Sequence, residues 1–153
     1  MSALFTNAIR TIRLSEADIN AVFDRLDATE TSGARDRRAT PRYAYRAQMI
    51  IVELKQPGAK VASPFVCPTR NLSRGGLACL HGGFVHSNTR CLIHLQTLQG
   101  GLHAVAGSVV RCRHIQGNVH EVGVRFDEPL DPAPFCSEAE PLPTQSNPPR
   151  RAN

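Results

Sequence analysis

The chain has 153 residues, of which 41% are apolar and 20% charged, a balance that is typical of one soluble globular domain and excludes a largely disordered protein. It has no Trp and only two Tyr, which argues against a surface that stacks the bases of single-stranded nucleic acid. The net charge of +5 indicates an anionic partner. All but two of the 18 cationic residues are arginines, which suit bidentate recognition of phosphate and guanine, although genomic base composition also favours arginine.

The cysteines and the N-terminus indicate a location in the reducing cytoplasm. The number of cysteines is odd and no pair has CxxC spacing, so we expect free thiols and no structural zinc. The first twenty residues lack the apolar core of a signal peptide, and no apolar run approaches the length of a membrane span. We therefore expect no membrane insertion.

The N-terminal part of the chain predicts one amphipathic helix. Ser15 is a candidate N-cap, and acidic residues follow it in the first turn. Apolar residues then recur at helical spacing, at Ile19, Val22, Phe23 and Leu26. This apolar stripe predicts packing on the main domain or on a partner subunit. We assign residues 1–34 to a helical extension and a linker.

The middle of the chain alternates β-prone runs with Gly, Pro and Asn turns. The connections are too short for parallel βαβ units. The pattern predicts an all-β domain over residues 35–130, in which six antiparallel strands close into a β-barrel. Residues 131–153 contain six of the 11 prolines and predict a flexible tail. The predicted strands are 43–54, 60–70, 77–80, 89–98, 103–114 and 119–126.

A cluster of arginines precedes the first predicted strand. Arg37, Arg38 and Arg42 lie close together, and Pro41 favours an extended chain over a helix. One guanidinium can donate to both O6 and N7 of a guanine, so Arg38 and Arg42 can contact different groups of one ligand. The alternative interpretation is a solvated charged segment with no ligand.

A polar turn lies between the second and third predicted strands. Asn71 supplies an amide and Ser73 a hydroxyl, while Gly75 and Gly76 are expected to allow positive φ and a close approach of ligand to backbone. The alternative is an Asx-type turn, whose polar side chains satisfy their own backbone. In an antiparallel barrel this turn can lie near the arginine cluster, so the combination predicts one binding surface.

These two segments resemble the RxxxR and (D/N)xSxxG motifs of the PilZ domain family. Residues 37–42 (RRATPR) and 71–76 (NLSRGG) carry the motifs, and 107–114 (GSVVRCRH) and 119–128 (VHEVGVRFDE) are similar to two further strands of the family. The five motif positions are Arg38, Arg42, Asn71, Ser73 and Gly76. The resemblance implies a six-stranded barrel and a bacterial receptor for cyclic di-GMP. Arg37, which precedes the first motif arginine, implies that two ligand molecules bind rather than one.

The resemblance therefore implies a signalling receptor and not an enzyme. Cyclic di-GMP would order the arginine segment and reposition the helix, and an unidentified downstream protein in motility, exopolysaccharide or virulence regulation would read that change. No further cofactor is expected, and the protein would be a monomer or a dimer. The ligand-binding residues would be Arg37, Arg38, Arg42, Asn71, Ser73, Gly75 and Gly76.

Two other functions stay open at this point. A PilZ-fold adaptor would act through protein contacts without binding cyclic di-GMP. A small nucleic-acid-binding barrel is compatible with the charge but not with the scarcity of aromatic residues. Catalysis has no support, because the sequence contains no nucleophile elbow, and no HExxH spacing suggests a metal site.

Overall fold

The computed structural model describes residues 8–32, 42–45 and 50–136, which form one helix and nine strands. Helix α1 spans Glu16–Ser32. The strands are β1 (Ile9–Arg10), β2 (Arg42–Ala44), β3 (Ile50–Lys55), β4 (Ser63–Cys67), β5 (Thr69–Ser73), β6 (Gly76–Gly82), β7 (Arg90–Gln96), β8 (Leu102–Gln116) and β9 (Val119–Phe126).

The nine strands form a single sheet in the order β1-β4-β3-β7-β8-β9-β6-β5-β2. Every neighbouring pair is antiparallel except β1 and β4, which are parallel. The all-β prediction is confirmed, but the prediction of a closed barrel with six strands is wrong. In the described part of the chain the sheet is open, with β1 at one edge and β2 at the other.

Two of the predicted strands are divided, which raises their number from six to eight, and β1 is a ninth strand that was not predicted. The predicted strand 60–70 becomes β4 and β5, separated by Pro68. Proline has no N–H to donate to a neighbouring strand, so the ladder is interrupted there. After Pro68 the chain changes neighbours, because β4 pairs with β3 whereas β5 pairs with β6. The described parts of the predicted strand 43–54 are likewise separated, with β2 at the sheet edge and β3 in its interior.

The sheet curves around one apolar core. Val52, Leu72, Ile93 and Val109 come from four different strands, are almost fully buried, and belong to the same cluster. Burying each of these side chains stabilises the fold by about 1.5–3 kcal/mol. Phe135 and Cys136, which lie in the predicted tail, are also buried in this cluster. Residues 137–153 lie outside the described residues.

Helix α1 packs on the outer face of the sheet, as its apolar stripe predicted. The Ser15 hydroxyl accepts a hydrogen bond of 3.1 Å from the Asp18 amide, which confirms the N-cap. Ile19, Val22 and Phe23 are buried against the sheet. Their partners on the sheet include Leu80 of β6 and Val119 of β9. Among the described residues, no helix is long and apolar enough to cross a membrane.

Candidate functional site

The first row of site residues crosses four strands on the outer face of the sheet. Arg42 of β2 is the register partner of Ser73 of β5. The Ser73 hydroxyl contacts the carbonyl of Gly76 at the start of β6, and Gly76 is in turn opposite Arg125 of β9. Residues directly opposite each other project on the same side of a sheet. This row therefore places an arginine at each end of a small polar turn.

A second row lies next to the first on the same face of the sheet, with small residues in its middle. Asn71 of β5 is opposite Ala78 of β6, and Ala78 is opposite Gly123 of β9. Gly123 is opposite Arg111 of β8. The middle of this row consists of Ala78 and Gly123, both buried, and the Arg111 side chain lies over Gly123.

The first row and the β8–β9 end of the second row line a cleft of about 310 Å³ that contains three arginines. Arg111 and Arg125 are exposed, and neither side chain forms an ion pair with any residue of the described ranges. No described acidic residue lines the cleft, so its potential is positive. Its walls are Arg42, Ser73, Gly75, Gly76, Leu77, Val110, Arg111, Gly123, Val124 and Arg125.

Hydrogen bonds within the polar turn already use part of its donors and acceptors. The Ser73 hydroxyl donates to the Gly76 carbonyl and accepts from the Gly75 amide, each at 3.3 Å. A ligand that binds Ser73 has to share or replace these long bonds. Asn71 differs, because it is 2% exposed and its Nδ2 is buried without a hydrogen-bond partner among the described residues. A buried N–H donor without a hydrogen-bond acceptor destabilises the folded chain, and an acceptor that reaches it removes this cost.

The glycines of the turn act differently from the sequence prediction. Neither Gly75 nor Gly76 has positive φ, so that prediction is wrong. Gly76 is required for a different reason, since a Cβ atom there would collide with the carbonyl oxygen of Val124. Gly75 has open space where a Cβ would stand. Gly76 thus permits β6 and β9 to approach closely, which holds the turn against Arg125.

The structure brings together four of the seven residues that the sequence nominated. Arg42, Ser73, Gly75 and Gly76 line the cleft, while Asn71 lies in the neighbouring row and is not among the lining residues. Arg37 and Arg38 lie outside the described residues. Sequence reasoning missed Arg111 and Arg125. Alternation within β9 places Arg125 on an outward-facing position, whereas Arg111 faces outward because the register shifts between Val109 and Arg111. Only the strand register shows that both flank the polar turn.

Sequence reasoning also missed a buried charge network next to the site. Arg70, immediately before Asn71, is 1% exposed and donates from Nε to Glu121 Oε2 at 2.8 Å. Its Nη1 donates to Asp27 Oδ1 of α1 at 2.6 Å. Arg113 donates to the other oxygen of Glu121. The helix is therefore tied by ion pairs to the strand that carries Asn71 and Ser73.

A curved, mostly antiparallel sheet with a cationic cleft on its outer face defines a small all-β binding domain. The family model of the PilZ domain matches residues 36–136, and the chain belongs to the PilZ domain family. No curated protein matches the chain.

Two solved structures are similar to the chain. The PilZ domain with c-di-GMP of YcgR from Escherichia coli has a TM-score of 0.44 and 16% identity, over 60% of this chain and 79% of that chain. The inhibitor of motility MotI/DgrA of Bacillus subtilis has a TM-score of 0.40 and 16% identity, over 62% of this chain and 44% of that chain.

Proposed function

We propose that the protein is a receptor for cyclic di-GMP that binds this ligand in the cleft between β2, β5, β6, β8 and β9. The observation that carries the proposal is the register of Arg42 opposite Ser73, which joins the second motif arginine to the polar turn in one cationic cleft. Membership of the PilZ family, a family of cyclic di-GMP receptors, supports the same ligand.

The chemistry of the cleft complements a cyclic dinucleotide. The ligand carries two phosphates, and Arg42, Arg111 and Arg125 supply three guanidinium groups to the lining of the cleft. Hydrogen bonds between guanidinium and phosphate are charge-assisted and bidentate. A guanine edge offers two adjacent acceptors, which one guanidinium can contact together. Asn71 would have to turn its buried Nδ2 outward to donate to the ligand.

Arg37 and Arg38 complete the proposed site from the segment that precedes β2. Arg38 would contact a guanine edge or a phosphate together with Arg42. Arg37 would add charge for a second ligand molecule, because two molecules of a dianionic ligand require more cationic groups than one. The proposed binding residues are Arg37, Arg38, Arg42, Asn71, Ser73, Gly75 and Gly76, joined now by Arg111 and Arg125.

The output is proposed to pass through α1 to a protein partner. Residues 33–41 connect the end of α1 to Arg42, so a ligand that fixes Arg38 and Arg42 shortens the free connection to the helix and limits its distance from the cleft. A ligand can shift such an arrangement only by its different affinity for the two states. In this scheme residues 1–34 are the output element, 35–130 the receptor domain and 131–153 a tail. The five free cysteines fit a cytoplasmic protein.

Isothermal titration of the full chain with cyclic di-GMP tests the proposal. Binding in the micromolar range or tighter, lost in Arg42→Ala and kept in Arg74→Ala, supports it. Arg74 is the matched control, because it is an exposed arginine of the same turn that does not line the cleft. The stoichiometry of the same titration distinguishes one ligand molecule from two. A flat titration overturns the proposal and leaves the adaptor function as the better account.

A further inference from the structure

Strand β8 extends beyond its neighbour β9, so part of one of its edges has no strand beside it. β7 pairs with β8 from Leu102 to Ser108, whereas β9 pairs with β8 only from Gly107 onward. Residues 102–106 therefore have a hydrogen-bonded strand on one side only, although β8 lies in the interior of the sheet order. We refer to residues 102–106 as the open edge of β8.

The backbone groups of alternate residues at the open edge point away from β7. In an antiparallel pair the N–H and C=O of one residue face the same neighbour, and those of the next residue face the other side. Ala106 faces the β9 side, because its carbonyl accepts a hydrogen bond of 3.0 Å from the Asp127 amide. The register with β7 is regular through this stretch, so Leu102 and Ala104 face the same side. No backbone group of the described residues pairs with Ala104 there.

The segment that follows β9 turns away from β8 and forms the second wall of a cleft. Pro129 has no N–H to donate, and the amide of Leu130 donates to the carbonyl of Arg74 at 2.8 Å and not to β8. A cleft of about 280 Å³ lies between, with residues 103–106 on one side and residues 127–130 on the other. A strand added in this cleft would have residues 127–130 on its far side, so the site would take a single extended chain and not the edge of another sheet.

The open edge lacks the features that usually prevent the addition of a strand. Exposed edges in native proteins commonly carry lysine, proline or a bulge. Residues 102–106 (LHAVA) contain neither lysine nor proline, and their register with β7 is unbroken. Ala104 is exposed and small, so its side chain does not obstruct a neighbouring backbone. Leu102 is 43% exposed, and an added strand would also cover part of this apolar surface.

The wall opposite β8 is acidic, in a chain whose net charge is +5. Asp127 and Glu128 stand on it, and no described Lys or Arg lines this cleft. Arg90 binds Asp127 through hydrogen bonds of 2.9 and 2.6 Å. Glu128 is exposed, and no ion pair joins it to another described residue. The Glu128 carboxylate is therefore available to a cation from outside the chain.

Charge also distinguishes between the chains that could occupy the cleft. A second copy that paired through the same edge would bring two acidic walls together. The segment 137–140 (SEAE), which follows Cys136, is itself acidic. Like charges placed together weaken an interface, so both are poorer matches than a basic segment.

We propose that the open edge of β8 binds an extended, basic segment of a partner protein, which joins the sheet as one further strand. The N–H and C=O of Ala104 would form hydrogen bonds with the backbone of that segment, as in other complexes formed by strand addition. An Arg or Lys side chain of the segment would contact Glu128. The proposal rests on the strand pairing and charge of this cleft, and not on the binding of cyclic di-GMP.

Amide hydrogen exchange of the full chain, followed by NMR, tests whether the edge is open and whether a strand can occupy it. In the free chain the Ala104 amide should exchange at least about tenfold faster than the Val105 amide, which faces β7. The probe is a labelled peptide of alternating Thr and Val with Arg in place of the central Thr. Its binding should slow exchange at Ala104 and leave Val105 unchanged.

Fluorescence anisotropy with the same peptide measures the affinity. Glu128→Lys should lower it at least about fivefold, because an attraction becomes a repulsion. Glu16→Lys is the matched control, since it makes the same charge change at an exposed residue of α1. Two further peptides carry N-methyl groups on alternate amides, one in each register, and one of the two should not bind because its methyl groups block the hydrogen bonds to β8.

Three results would overturn the proposal: no saturable binding of the peptide, equal losses in Glu128→Lys and Glu16→Lys, or unchanged binding of both methylated peptides. Slow exchange at Ala104 in the free chain would also overturn it. If that protection depended on protein concentration, the occupant would be a second copy, and if it did not, the occupant would be a segment of the same chain. None of these measurements uses cyclic di-GMP, so the proposed receptor function is tested separately.

Discussion

Asp27 of α1 and Arg70 of β5 form an ion pair of 2.6 Å that joins the N-terminal helix to the strand carrying the polar turn. Arg70 is almost completely buried, whereas the side chain of Asp27 is 35% exposed. Arg70 also forms an ion pair with Glu121, whose side chain is fully buried. A displacement of α1 therefore has to change the surroundings of the residue immediately before Asn71, which gives the proposed output a physical route to the site.

Replacing Arg70 by Met is predicted to destabilise the fold strongly. The variant leaves the Glu121 carboxylate buried with Arg113 as its remaining partner, and breaking a buried ion pair in this way costs about 3–5 kcal/mol. Urea denaturation monitored by circular dichroism measures the free energy of unfolding. Asp27→Asn is the paired variant and should cost less, because Asp27 is partly solvated. An equal loss in the two variants would mean that the helix contact, and not the burial of Glu121, dominates the network.

Arg42→Ala and Arg38→Ala are each predicted to reduce affinity for cyclic di-GMP at least about a hundredfold while the fold is retained. Two charge-assisted hydrogen bonds at about 1.5 kcal/mol each correspond to a loss of that size. Titration calorimetry measures the affinity, and the thermal midpoint measures the fold. Arg74→Ala should match the wild-type chain in both measurements. Wild-type affinity in Arg42→Ala would contradict the proposal that cyclic di-GMP binds in the cleft.

The sequence predicted the local features of this fold correctly, but it did not predict whether the sheet closes into a barrel. The Ser15 cap and the stripe from Ile19 to Leu26 depend on neighbours within a few turns, and both are confirmed. The open sheet was not predicted, because its two edges are set by the pairings of β1 with β4 and of β2 with β5, which join segments distant in sequence. Pro68 lies within the predicted strand 60–70, and its consequence, a change of neighbouring strand, could not be inferred from one proline.

The residues of the candidate site also fall into two groups, those that the local sequence marks and those that only the strand pairing reveals. Arg42 and Ser73 could be nominated from motifs, since each is marked by its immediate neighbours in sequence. Arg111 and Arg125 could not, because an outward-facing arginine on a strand is ordinarily a solvated residue. Only the pairing of Gly76 with Arg125 and of Gly123 with Arg111 places them beside the turn.

Arg111→Ala is predicted to lower the affinity for cyclic di-GMP by about tenfold without changing stability, because the variant removes one exposed guanidinium from the cleft. Arg111→Lys keeps the charge but not the bidentate geometry. It should fall between the wild-type chain and Arg111→Ala. Titrations at low and high salt separate the contribution of charge, which is screened, from that of geometry. An unchanged affinity in Arg111→Ala would restrict the site to the motif residues.

Gly76→Ala and Gly75→Ala form a matched pair that tests the reason for the glycines. The added methyl at position 76 meets the Val124 carbonyl, so β6 and β9 have to separate, at a cost of at least about 2 kcal/mol in unfolding free energy. At position 75 the methyl meets nothing, so stability should change by less than about 0.5 kcal/mol. Chemical denaturation of both variants checks the contrast. Similar stabilities would show that the strands accommodate the methyl, and that close approach is not what position 76 requires.

Ser73→Ala is predicted to weaken binding by about fivefold, less than either motif arginine change. The hydroxyl is neutral and contributes about 1 kcal/mol, whereas each arginine bond is charge-assisted. The variant also removes the two hydrogen bonds of 3.3 Å within the turn, so the unfolding free energy should fall slightly. Ser73→Thr is the informative companion, because it keeps the hydroxyl and should recover most of the affinity if the turn accepts the extra methyl. A loss in Ser73→Ala larger than in Arg42→Ala would mean that the ligand is anchored by the polar turn, with the arginines serving mainly to attract it.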